Sequence, residues 1–184
     1  METGVPYALN TACRKQDMTK VRTLGPLACA ISLMIQGTEG TYRRQDPERL
    51  PDDQDTLLYR GFKLPEADLD EWRVMEKQRI QISGMVSTSK DPHKALEYAF
   101  RNVGDRTPIV QVIKWRSRHH VRLGGPEWSA YPDEDEVLLM DGQKFILESL
   151  ERRPMELRGK SREGVYMELR YDGGRDNRAA EGTD

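Results

Sequence analysis

Apolar residues recur at intervals of three and four through TLGPLACAISLMIQ, where Leu24, Leu27, Ala28, Ile31, Met34 and Ile35 make one stripe. That period predicts an amphipathic helix, with Gly37 as its stop. A polar, proline-bearing connection, RRQDPERLPDDQD, follows, and from Thr56 the pattern changes. TLLYRGF is short, apolar and bounded by turn formers; as a strand it sets Leu57 and Tyr59 on one face and Leu58, Arg60 and Phe62 on the other. A helix from about Glu66 to Gln78 would bury Leu69, Trp72 and Met75, and MVSTS reads as a strand. Asp91 and Pro92 supply the N-cap and first helical position of HKALEYAFRNV, whose Leu96, Ala99, Phe100 and Val103 form its buried face. PIVQVIKW is a further strand, and RSRHHVRLGGPEWSAYPDED a long polar loop. EVLLM, KFILESL and VYMELRY complete the strands, the last with Val165, Met167, Leu169 and Tyr171 in strict alternation.

With 184 residues there is enough chain for one core and too little for two ordinary ones. Residues 1–171 therefore read as a single domain, helical over 1–55 and mainly strands over 56–171; 172–184, with almost nothing to bury, reads as a disordered tail. A net charge of −2 argues against bulk affinity for nucleic acid, which needs an excess of cations. Cys13 and Cys29 fall in segments read as helical and lack metal-ligand spacing, so a reducing setting is expected. The start METGVPYALN carries no signal-like basic and apolar regions, and no apolar run approaches a membrane span. The expectation is a soluble, intracellular protein, with secretion as an effector left open.

Three short pieces carry candidate chemistry, and each has an ordinary explanation. Arg60 ends LYRG, and a strand arginine is usually solvated or ion-paired. Ser87, Thr88 and Ser89 make a hydroxyl run of the kind that pairs across strands. Glu134 and Glu136 form E-x-E at the start of an apolar strand. As a solubilising turn they would be unremarked, yet alternation puts both carboxylates on one side, an electrostatically costly arrangement unless something cationic lies near.

In that order, arginine, S-T-S and E-x-E, the pieces resemble the R-S-E class of mono-ADP-ribosyltransferases, which includes the C2-like bacterial toxins and the arginine-specific cellular transferases. LYRG, GMVSTSKDPHKALEYA and SAYPDEDEVLLMDGQKFIL are similar to the corresponding stretches of that family, and YALNTACR to its helical N-terminal part, so the resemblance spans about Tyr7 to Tyr171. Met85 departs from it, standing where many members carry an aromatic residue.

The resemblance implies an α+β fold in which two small, roughly perpendicular β-sheets clasp NAD+ in a cleft, with N-terminal helices packed outside. It implies NAD+ as co-substrate, no metal, and as partner a protein with an exposed arginine. Glu136 would stabilise the oxocarbenium-like ribose as nicotinamide leaves, a type of electrostatic contribution worth about 3 to 4 kcal/mol. Ser87 would orient Glu136. Arg60 would contact the pyrophosphate or brace the site, the backbone of Arg60 and Gly61 would pair with the nicotinamide carboxamide, and Ser87, Thr88 and Ser89 would be among the cofactor-binding residues. Glu134 would read the acceptor, glutamate there going with arginine in the family, and Tyr131 would stack on the acceptor guanidinium.

Three other readings stand beside this one. An NAD+ glycohydrolase would use the same residues with water as acceptor. A catalytically silent interaction module would keep the fold and lose Arg60, Ser87 or Glu136, none of which is lost. A nucleic-acid binder would rest on Lys114, Arg116, Arg118 and Arg122 in KWRSRHHVR, a segment read instead as a solvated hairpin. His119 and His120 point to opposite faces of an extended segment, which argues against a two-histidine metal site.

Overall fold

Alternation from Thr56 onward becomes a single ladder of eight strands. The computed structural model describes residues 12, 17–20, 23–30, 50, 54–117, 120–122 and 134–173. Residues 23–30 are helical (α1). There follow β1 (Thr56–Leu64), α2 (Glu66–Val74), β2 (Arg79–Gln81), β3 (Val86–Ser89), α3 (Pro92–Phe100), β4 (Thr107–Trp115), β5 (His120–Arg122), β6 (Glu136–Leu139), β7 (Lys144–Leu157) and β8 (Lys160–Tyr171). The strand order is β2-β7-β8-β4-β1-β3-β6-β5. Only the β4/β8 pair is parallel among these neighbours.

The sheet is two units joined by one bridge. β1 pairs with β4 along all nine residues, but with β3 only at Tyr59↔Ser89. Five strands (β2, β7, β8, β4, β1) thus stand on one side of the junction and three (β3, β6, β5) on the other. The two small sheets expected from the sequence are present as these two units, continuous through that bridge.

One face of both units makes the main core: Leu58, Ile109, Ile113, Trp115, Val137, Leu139, Phe145, Leu147, Val165, Met167 and Leu169, with Leu69 of α2 and Leu50 ahead of β1. Trp72 and Met75 pack against it half-buried, as the helical spacing predicts, although α2 ends at Val74 rather than Gln78. The opposite face carries α3, seated through Ala95 and Ala99 on Val110 and Met155, with Tyr59, Leu96, Phe100, Val112 and Tyr166 around them. Asp91 caps α3 by accepting from the His93 amide at 2.8 Å, with Pro92 in the first turn. At the other end Lys63 of β1 donates to the Arg101 carbonyl, a cation at a helix C-terminus.

Several elements differ from the sequence reading. β2 is three residues long and buries Ile80 alone, too little for a recognisable period. β7 runs on past Leu150 through a polar stretch because its continuation pairs with β8 up to Leu157↔Lys160. The two-residue turn there, Arg158 and Gly159, has positive φ at both positions, as tight hairpins favour. KWRSRHHVR is not a hairpin. β5 pairs with β6, so β1, β3 and β6 intervene between β4 and β5. His120 is buried, its Nδ1 2.9 Å from the Ser117 carbonyl and 3.4 Å from Trp115 Nε1. Lys114, one of the four cations of the basic segment, donates to Glu148 at 2.7 Å and to Glu168 at 3.4 Å. Its pKa is raised, chiefly by the bond to Glu148.

Among the described residues no helix is long and apolar enough to cross a membrane. Of the predicted N-terminal helix, Leu24, Leu27 and Ala28 fall within α1; Ile31, Met34, Ile35 and Gly37 lie outside the described residues, as do Cys13 and 174–184 of the tail.

Candidate active site

Every candidate residue that is described lies on β1, on β3, at the start of β6 or, for Glu134, two residues ahead of it; the three strands are adjacent in the sheet. Paired residues share a face. The register Tyr59↔Ser89 and Ser89↔Glu136 therefore puts Ser89 and Glu136 on the α3 side, and alternation adds Ser87 two residues back. Ser87 is exposed and lies diagonally across from Glu136, opposite Leu138. Thr88 and Val137 form the intervening pair on the core side, where the Thr88 hydroxyl is buried and donates to the Val137 carbonyl at 2.7 Å.

Ser89 has a different position in the network. Its hydroxyl donates to the Glu134 carbonyl at 2.6 Å and accepts from the Asp91 amide at 2.9 Å. One side chain thereby ties the end of β3 both to the start of α3 and to the segment leading into β6. Asp135, between the two glutamates, has φ +44°, a left-handed conformation that aspartate tolerates better than most residues. The strand begins only at Glu136, so Glu134 owes its direction to this backbone turn and not to the alternation assumed from the sequence.

Glu134 turns toward α3, where the Tyr98 hydroxyl donates to its Oε1 at 2.8 Å. The Tyr98 phenol is pushed up to about 12 by burial, by the hydrogen bond to Glu134 and by that carboxylate's charge; Arg101 opposes the shift and Glu136 adds to it. Both carboxylates of E-x-E thus act electrostatically on one phenol. The Arg101 guanidinium lies 5.6 Å from the centre of the Tyr98 ring, bringing a cation near an otherwise acidic group.

Arg60 lies on the other side of the sheet. It pairs with Gln111 and falls between Leu58 and Phe62 on the core face, its guanidinium 5.3 Å from the centre of the Phe62 ring. Gln111 is only 2% exposed; its Nε2 donates to Met167 Sδ at 3.1 Å, and among the described residues its Oε1 has no partner. A buried acceptor left over is uncommon in a folded protein. Gly61, on the α3 side, has no room for a side chain: a Cβ would overlap the Ala95 carbonyl oxygen and lie 2.7 Å from the Ala99 nitrogen.

The structure therefore brings Ser87, Ser89, Glu134 and Glu136 to one face and sets Arg60 on the neighbouring strand facing the core, across the single-bridge junction. Tyr131 lies outside the described residues. Tyr98 was not singled out in the sequence: it is the exposed aromatic of an amphipathic helix, and nothing local signals its contact with a residue 36 positions away. Among the described residues no group of three or more His, Cys, Asp or Glu is arranged to hold a metal ion.

No family model matches the chain, and no curated protein sequence does. Solved structures do resemble it. The enzymatic component C2-I of the C2 toxin from Clostridium botulinum is 15% identical with a TM-score of 0.60, covering 90% of this chain and 40% of its own. Plx2a, an ADP-ribosyltransferase toxin from Paenibacillus larvae, is 13% identical with a TM-score of 0.61, covering 90% and 79%. Exoenzyme S from Pseudomonas aeruginosa, solved with human 14-3-3 protein beta and carba-NAD, is 15% identical with a TM-score of 0.51, covering 97% and 77%. The chain thus spans less than half of the C2-I chain that it resembles. The class these likenesses define is one of fold: the α+β fold of the ADP-ribosyltransferases.

Proposed function

We propose that this chain is a mono-ADP-ribosyltransferase that cleaves NAD+ at the nicotinamide–ribose bond and transfers ADP-ribose to a protein arginine. The observation that carries the reading is the β3/β6 register, which puts Ser87, Ser89 and Glu136 on one face, with Glu134 tied to that face through Ser89, within the fold of known ADP-ribosyltransferases. Such a likeness is one of fold, so the chemistry rests on the residues.

Glu136 stabilises the positive charge that develops on the ribose as the C1′–N bond breaks and nicotinamide leaves with the bonding electrons. Ser87, diagonal to it on the next strand, orients that carboxylate. A guanidinium nitrogen of the acceptor forms the new bond to C1′, and Glu134 binds the acceptor and takes up the proton it loses. Tyr131 contributes a ring face to that guanidinium.

Arg60 serves the pyrophosphate with its planar set of donors, and the backbone of Arg60 and Gly61 serves the nicotinamide carboxamide. Arg60 stands next to the junction on β1, on the core face and not on the face of Glu136. β1 and β3 part beyond Tyr59↔Ser89, so past that bridge the edge of β1 no longer runs in a ladder with β3. Thr88 and Ser89 belong to the same cofactor wall by holding β3 in register against β6. NAD+ is the substrate, and no metal is required.

The test is incubation with labelled NAD+ and polyarginine or a cell-extract acceptor. Label on the acceptor, removable by agents that cleave arginine-linked ADP-ribose, is expected. Free ADP-ribose with unlabelled protein would make the chain a glycohydrolase, and intact NAD+ would end the enzyme reading.

A further inference from the structure

Glu134 is held at two points by one stretch of chain. Ser89 at the end of β3 fixes its backbone carbonyl at 2.6 Å, and Tyr98, two turns into α3, fixes its carboxylate through Oε1 at 2.8 Å. The helix bearing Tyr98 is itself immobilised. Ala95 and Ala99 seat it on the sheet, the Gly61 backbone touches it directly, Asp91 caps its start and Lys63 its end. A helix seated on the sheet thus presents a hydroxyl to a carboxylate that sits outside the regular strand.

We propose that Tyr98 is a positioning residue for acceptor choice: its hydroxyl holds Oε1 of Glu134 so that the second carboxylate oxygen meets the acceptor guanidinium. The proposal rests on the reading of Glu134 as the residue that engages arginine. The geometry gives Tyr98 no part in opening the nicotinamide–ribose bond, because its hydroxyl is on Glu134 and not on Glu136. Transfer and hydrolysis should therefore respond differently to its loss.

Among the described residues, Glu134, Glu136 and Arg101 are the charged groups acting on this phenol. Its proton is held by burial and by the two carboxylates, so across the neutral range Tyr98 only donates to Glu134 and never competes as an anion for the acceptor's charge. The Arg101 guanidinium lies over the ring of Tyr98.

The test is Tyr98→Phe in the full chain, which keeps the ring and removes one oxygen. Arginine transfer should fall about tenfold or more, since a hydrogen bond to a charged group is lost, with the acceptor KM rising, while NAD+ hydrolysis stays within about twofold. In a Glu134→Gln background the same substitution should change nothing further. Equal losses of transfer and hydrolysis, or wild-type transfer in Tyr98→Phe, would overturn the proposal. Failure of the wild-type chain to cleave NAD+ would instead be failure of the function reading, and it is seen before any variant is made.

Discussion

Gly61 and Ala95 meet backbone to backbone: the place a Cβ would occupy on Gly61 is taken by the Ala95 carbonyl oxygen. The glycine that the sequence reading linked to close approach of nicotinamide is already required by the seating of α3 on β1. Gly61→Ala should then be a folding defect before it is a catalytic one. Neither neighbour is a flexible side chain that could move aside, so the helix must lift. A loss of about 3 kcal/mol is expected, at the upper end of overpacking costs, lowering Tm by about 6 to 12 °C for a chain of this size. Thermal denaturation checks this, and an unchanged Tm with lost activity would return Gly61 to a role in the ligand site.

The Tyr98 phenol offers a measurement free of any activity. By ultraviolet absorbance it should ionise near pH 12, well above an ordinary tyrosine, and Glu134→Gln should bring it down. A pKa raised in the folded state from 10.0 to about 12 means that folding favours the protonated phenol, so this contribution is complete below about pH 10 and is lost as pH rises toward 12. A titration unmoved by Glu134→Gln would mean that the contact does not exist in solution.

How much of this was legible beforehand differs by element. The α3 boundary was readable because Asp91 and Pro92 announce it locally, and β1 and β8 because burial of one face imposes alternation on their residues. Pairing of β5 with β6 was not readable: HVR is three residues long, and its partner is set by the course of the intervening chain. Ser87 and Glu136 could be named from motif order, but Arg60 falling on the opposite face follows from the Tyr59↔Ser89 register, which no local pattern encodes. Glu134 was expected to follow strand alternation, whereas the positive φ of Asp135 directs it toward Tyr98.

The two glutamates should separate functionally. Glu136→Gln keeps shape and removes the charge that the proposed mechanism sets against the ribose, so transfer and hydrolysis should both fall by about a hundredfold to a thousandfold with Tm unchanged. Glu134→Gln should lose arginine transfer and keep hydrolysis. Measuring nicotinamide release with and without acceptor distinguishes them; near-normal turnover in Glu136→Gln would remove the central assignment, and joint loss of both activities in Glu134→Gln would show that it does not read the acceptor.

Ser87 and Ser89, two residues apart on one face, should divide along another line. The Ser89 hydroxyl satisfies the Glu134 carbonyl and the Asp91 amide in a place nearly shut off from water, and Ser89→Ala leaves both without it. A cost of about 1 to 3 kcal/mol is expected, with transfer falling because the backbone of Glu134 is no longer tied down. Ser87 is exposed at the strand surface, so Ser87→Ala should leave Tm within about 2 °C of wild type, as surface substitutions do, while NAD+ cleavage should fall if, as proposed, Ser87 orients Glu136. Denaturation and nicotinamide release measured on the same two variants decide the matter: if Ser87→Ala cleaves NAD+ normally, the carboxylate of Glu136 is held by some other group and Ser87 has no part in the chemistry.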